Sequence, residues 1–155
     1  MPYNDECVAN CILEKAFNEK RSDLTPMKLQ KMLFFLNGWG LAITHEPVVE
    51  GKFEAWPYGP VIAELYSKTK RFGKKTIDSY FVTEDNVYIV SRTQKQFYDL
   101  LDKVWKKYIN CSAYQLSEIT HEVDSPWWIT KKEGHKIIKD DIIKQYFVDL
   151  ASFKR

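Results

Sequence analysis

Cys7 and Cys11 stand one helical turn apart, and a third thiol, Cys111, precedes His121 and Asp124 in the chain. These are the residue types of metal ligands, and of a thiolate with its general base and orienting carboxylate. Zinc takes four ligands, usually in short paired spacings, but only Cys111, His121 and His135 remain to complete a set and none pairs closely with another. Half-buried core cysteines are the favoured reading. Cys111 leads into a capping box rather than a strained elbow or a glycine-rich oxyanion turn, and no glycine loop suited to cradling phosphate occurs. The expectation is a chain with no catalytic residues, no metal and no cofactor. The third constellation is "KTKRFGKK", with Lys68, Lys70, Arg71, Lys74 and Lys75. Such a cluster can neutralise phosphates or meet an acidic protein surface, and cations at a helix end also favour the helix dipole. Nucleic acid is the less favoured partner, because 23 basic against 21 acidic residues leave a formal charge of only +2.

The elements that must position these residues fit one domain over residues 1–155. A chain of 155 residues that is 45% hydrophobic can bury a core without staples. Three cysteines cannot all pair, no secretory signal appears, and no apolar run is long enough for a membrane helix. A soluble protein of the reducing cytoplasm is expected.

A first helix starts near Asn4 or Asp5, carries Val8, Ile12, Ala16 and Phe17, and breaks at "NEKRSD". Thr25 is placed to cap a second helix with Pro26 in its first turn, followed by a stripe of Leu29, Met32, Leu33, Leu36, Gly40 and Ile43. Gly38 and Gly40 flank Trp39 and ask for close approach by a neighbour. "KFEAW", "TIDSYF" and "VYIV" read as short extended segments, the last two as a hairpin around "TEDN". Between them, Gly59-Pro60 is expected to open a helix with Val61, Ile62, Leu65 and Tyr66 that stops at Gly73. Ser91 with Gln94, and Ser112 with Gln115, have capping-box spacing. The first should open a helix striped by Phe97, Leu100, Leu101, Val104 and Tyr108, the second a short one through Leu116 and Ile119. Ser125-Pro126 repeats the cap-and-proline start, and Asp140-Asp141 suit the N-terminus of a last helix with Ile142, Ile143, Tyr146, Phe147 and Leu150. The sum is a mainly α fold: six or seven helices and a small antiparallel β element.

Within it, "EAWPYGPVIAELY" is unusual. Pro57 and Pro60 fix two φ angles and push the preceding residues to extended geometry, so the segment is a pre-organised knuckle. Three stretches together, "LTPMKLQKMLFFLNGWGLA", "EAWPYGPVIAELY" and "LSEITHEVDSPWW", resemble the signatures of the Panacea antitoxin domain, the family of SocA-like proteolytic adaptors and phage-associated GepA-like proteins. The matching positions are Thr25, Pro26, Leu29, Gln30, Lys31, Ala55, Trp56, Gly59, Pro60, Val61, Thr120, His121, Pro126 and Trp127. Most are expected to be architectural. The resemblance implies a non-enzymatic antitoxin that binds a toxin protein encoded by an adjacent gene, with alarmone-synthetase-like translation inhibitors among the toxins met in the family. Its alternatives are an adaptor delivering the toxin to a ClpXP-type protease, or a phage-encoded inhibitor of a host protein. No stretch resembles the extra DNA-binding domain of some relatives, so autoregulation through DNA is not expected. Tyr58 lies between the matching positions and is freest to face outward. Together with Arg71, Lys68, Lys70, Lys74 and Lys75 it forms the candidate partner-binding set.

Overall fold

The computed structural model describes residues 2–153. Among them the order is α1 (Asp5–Asn18), α2 (Pro26–Thr44), β1 (Glu54–Trp56), β2 (Gly59–Val61), α3 (Ala63–Thr69), a 3-10 turn (Lys70–Phe72), α4 (Lys95–Tyr108), α5 (Ala113–Thr120), α6 (Pro126–Lys132) and α7 (Asp140–Phe153). The fold is mainly α with one two-stranded antiparallel sheet, as the sequence led us to expect.

Helix α2 is apolar on nearly every side and becomes the axis of the molecule, packed by α1, α4, α5, α7 and β2. Its start is local chemistry: Thr25 Oγ1 accepts from the Lys28 N–H at 3.3 Å, and Pro26 occupies the first turn. The two glycines do admit close neighbours. A Cβ on Gly38 would lie 2.0 Å from the Phe147 ring of α7, and one on Gly40 would lie 2.3 Å from Val48. Phe35 stacks on Tyr108 of α4 with ring centres 4.1 Å apart, and Phe34 meets Phe53 edge-on at 5.2 Å. Ile43 departs from the expected stripe. It is 59% exposed, although Leu41 in the same turn is buried.

The caps at Ser112 and Ser125 form as expected. Ser112 Oγ accepts from the Gln115 N–H at 3.0 Å, and Gln115 returns the bond to the Ser112 N–H at 2.8 Å. Ser125 Oγ accepts from the Trp128 N–H at 3.2 Å. The box expected at Ser91 does not form. Helix α4 begins at Lys95, so Ser91 lies outside it and its hydroxyl pairs with Thr93 at 2.8 Å, while Gln94 accepts from the Tyr3 hydroxyl at 2.9 Å.

Two further expectations change. Gly59-Pro60 does not open a helix. The two residues belong to β2, which pairs with β1 across Pro57-Tyr58, and the helix waits until Ala63. The φ of +110° at Gly59, open to glycine and strained for other residues, lets the chain turn there. Conversely, "TIDSYF" and "VYIV" do not become strands. The turn between them exists, with Glu84 and Asp85 at φ of 50° and 64° and a Thr83–Asn86 bridge, but pairing stops there. The cause is Asn10 of α1, 1% exposed and wedged between the limbs. Its amide donates to the Phe81 carbonyl at 3.0 Å and the Tyr88 carbonyl at 2.9 Å, and its Oδ1 accepts from the Phe81 N–H at 2.8 Å.

Candidate functional site

The knuckle is held from three directions. From α2, Gln30 reads the backbone of Ile62 in both senses: the Ile62 N–H donates to Oε1 at 2.9 Å and Nε2 donates to the carbonyl at 3.3 Å. Along the outer edge of β1, the Ala55 N–H donates to the Lys136 carbonyl at 2.8 Å and the Ile138 N–H to the Phe53 carbonyl at 2.9 Å. On the third side, α5 and α6 engage three successive turn carbonyls. Trp127 Nε1 donates to Trp56 O, His121 Nε2 lies 2.9 Å from Pro57 O, and the Ser117 hydroxyl reaches Tyr58 O at 3.4 Å. The other His121 nitrogen lies 2.6 Å from the Ser117 carbonyl. A neutral imidazole can donate to one of these oxygens, an imidazolium to both. The His121 and Trp127 rings pack with centroids 4.0 Å apart.

Of the remaining matching positions, Ala55, Trp56, Gly59, Pro60 and Val61 form the two strands and Lys31 and Thr120 abut Gly59, whereas Thr25 and Pro26 stand at the start of α2. Val61 and Leu29 are fully buried, Ala55 and Pro60 are buried, and Trp56 donates to Glu54 at 2.8 Å and meets Tyr66 edge-on at 5.2 Å. Thr120 donates to the Ser117 carbonyl and its own carbonyl accepts from Ser125, both at 2.8 Å, tying α5 to the start of α6 at Pro126. Beneath Gly59 lies the least comfortable member, Lys31. It is 1% exposed, and its Nζ has no hydrogen-bond partner among the described residues. A Cβ on Gly59 would lie 2.9 Å from Lys31 Nζ and 3.0 Å from Thr120 Oγ1. Burial alone lowers the Lys31 ammonium from 10.5 to about 8.

With its backbone clamped, the turn turns the Tyr58 side chain outward, 60% exposed. Arg71 lies in the 3-10 turn that follows α3, not at the far end of a helix shared with Tyr58. Its guanidinium donates to the Lys68 carbonyl at 3.0 Å and sits 4.5 Å above the Phe72 ring. Lys68 is paired with Glu6 of α1, whose hydrogen bond raises the lysine above its ordinary value. Lys70, Lys74 and Lys75 are exposed.

The thiols take structural places. Cys11 is buried, 3.5 Å from the Tyr98 hydroxyl, and accepts from the Val90 N–H at 3.4 Å. Burial pushes both Cys7 and Cys11 up, away from the thiolate. No hydrogen bond joins Cys111 to His121 or Asp124 among the described residues, and His121 is spent on the knuckle. No group of three or more metal-ligating side chains gathers among those residues, and no described helix is long and apolar enough to cross a membrane.

Sequence reasoning missed Asn10, Asn37 and Lys28. Asn37 Oδ1 accepts from the Val48 and Val49 N–H groups at 2.8 and 3.3 Å, and Lys28 is buried with Nζ 2.9 Å from Asp23 and 2.6 Å from the Ile109 carbonyl. The available signal was a polar residue interrupting an apolar helix face.

The segment that builds this clamp, from α2 through α6, coincides with a family match. The family model described as "Antitoxin SocA-like, Panacea domain" covers residues 29–129. The chain belongs to this family. It is also 29% identical, over 125 residues, to the protein named Antitoxin SocA from Caulobacter vibrioides (strain NA1000 / CB15N), an alignment covering 77% of this chain. The chain spans 66% of that relative's length, just under two thirds. No solved structure matches it.

Proposed function

We propose that this Panacea-domain protein is a cytoplasmic, non-enzymatic antitoxin that neutralises a toxin protein encoded beside it by direct, stable binding. Family membership makes a toxin the natural partner. The observation that carries the binding reading is the knuckle itself. Three consecutive carbonyls of its turn are occupied by Trp127, His121 and Ser117, while an aromatic side chain of the type favoured at interface hot spots is left in solvent. A partner docking on Tyr58 meets a surface already in one conformation, so little ordering entropy is lost. The basic turn around Arg71 supplies a second anchor of suitable type, and charge there steers an acidic partner.

The test is growth of a host that lacks its ClpXP-type protease and expresses the neighbouring gene's product. Under direct occlusion, co-expression of the antitoxin restores growth there as it does in the wild type. Rescue that vanishes with the protease, together with undiminished toxin abundance, replaces occlusion with the adaptor mechanism. Absence of rescue in both hosts overturns the antitoxin reading.

A further inference from the structure

Between the basic turn and the limb that failed to become a strand lies a cleft of about 620 Å³. One wall is Lys68 to Phe72, the other Ser79 to Val82, with Ile77 below and Glu6 at one end. Phe81 spends both its N–H and its carbonyl on Asn10. The chain bends at Ser79; beyond it, over Tyr80 to Val82, successive backbone groups alternate in direction, so Tyr80 and Val82 turn theirs away from Asn10. Among the described residues, Asp78, Ser79, Tyr80 and Val82 make no backbone hydrogen bond. This limb has the composition of a strand, carries Val82 at 58% exposure, and presents an unpaired edge of the kind that accepts an added strand.

The rim supplies the charge. Lys68, Lys70 and Arg71 line the cleft with Glu6, which is paired with Lys68, and Lys74 and Lys75 follow in the chain, against Asp78. We propose that this cleft takes an extended, acidic segment of a protein partner, which pairs its backbone with Tyr80 and Val82 and sets its carboxylates against Lys70, Arg71 and Lys74. The inference rests on the antitoxin reading and gives the toxin's docking segment a chemistry. Nucleic acid fits less well, because an apolar wall and an unpaired strand edge occupy the side where a phosphate backbone needs cations.

The probe is a short acetylated peptide alternating glutamate and valine, titrated into the full chain at low salt and followed by amide NMR. Saturable shifts centred on residues 80–82, with slowed exchange of the Tyr80 and Val82 amides, are expected. The Lys70→Glu/Lys74→Glu variant should weaken binding about tenfold or more, and a lysine-valine peptide should not bind. Equal binding of the lysine peptide, shifts centred elsewhere, or shifts without amide protection overturn the proposal. Tighter binding of an oligothymidylate replaces the acidic segment with nucleic acid. Growth rescue by the wild type separates the two levels. If the variant has lost the peptide yet still protects cells, the cleft is not the docking site and the antitoxin reading stands. If the wild type binds the peptide but never protects, the cleft stands and the antitoxin reading falls.

Discussion

Two segments of this chain set short extended limbs around a turn and meet opposite fates. "EAWPYGPV" has two prolines and a glycine and forms the one sheet found among the described residues, whereas the β-prone "TIDSYF" and "VYIV" around an acidic turn pair only at Thr83 and Asn86. What differs is where neighbouring side chains attach. At the knuckle, His121, Trp127 and Ser117 take carbonyls at the turn itself and Gln30 takes Ile62 just beyond it, so the ladder between β1 and β2 survives. At the second segment Asn10 enters between the limbs and consumes the groups that would have paired. Strand propensity measures fit to a pleated neighbour, and a buried amide in the neighbour's place cancels it.

The comparison can be broken most severely at Gly59. Gly59→Val forces a β-branched residue to φ +110° against Lys31 and Thr120, and should cost about 3 kcal/mol or more in denaturant unfolding. Near-wild-type stability would mean the knuckle does not need its clamp. Asn10→Leu keeps the branched shape but strands the Phe81 N–H, and should cost about 2–3 kcal/mol. Hydrogen exchange should then accelerate in residues 80–90 while the amides of Ala55 and Ile62 stay protected. Simultaneous loss at both places would show the two segments to be one unit.

Lys31→Met acts in the stabilising direction. Because the unfolded chain holds this proton to higher pH than the folded one, the Lys31 contribution is most destabilising below pH about 8 and is relieved as the pH climbs from about 8 towards 10.5. The substitution should add about 1–3 kcal/mol at neutral pH and flatten that rise. A variant less stable than wild type would give Lys31 a partner beneath the knuckle. The smallest effect belongs to the Tyr58→Ala/Arg71→Glu double variant. Both side chains are exposed, so melting should move by no more than about 0.5 kcal/mol equivalent.

The helical frame was legible because its signals are local. Thr25-Pro26, Ser112 with Gln115, and Ser125-Pro126 each settle a helix start within four residues, and the glycines beside Trp39 announced a close neighbour later supplied by Phe147 and Val48. The candidate site was legible only in part. Tyr58 follows from the prolines around it, but the clamp depends on His121 and Trp127 reaching back across the fold, and the failure of the second hairpin depends on Asn10. Residues 64 and 71 positions apart leave no periodic trace. Ser91 shows the converse limit: its spacing to Gln94 suits a box, yet the α4 boundary falls elsewhere.

The central proposal is that Tyr58 of the clamped knuckle, together with the basic turn at Arg71, holds a toxin. Calorimetric titration of the neighbouring gene's purified product with wild type and with Tyr58→Ala/Arg71→Glu tests it most directly. The account predicts a stable wild-type complex and a double variant of unchanged fold that binds at least tens-fold more weakly, the loss of about one hot spot. Wild-type affinity in the folded double variant would contradict it and leave the knuckle as a turn into α3.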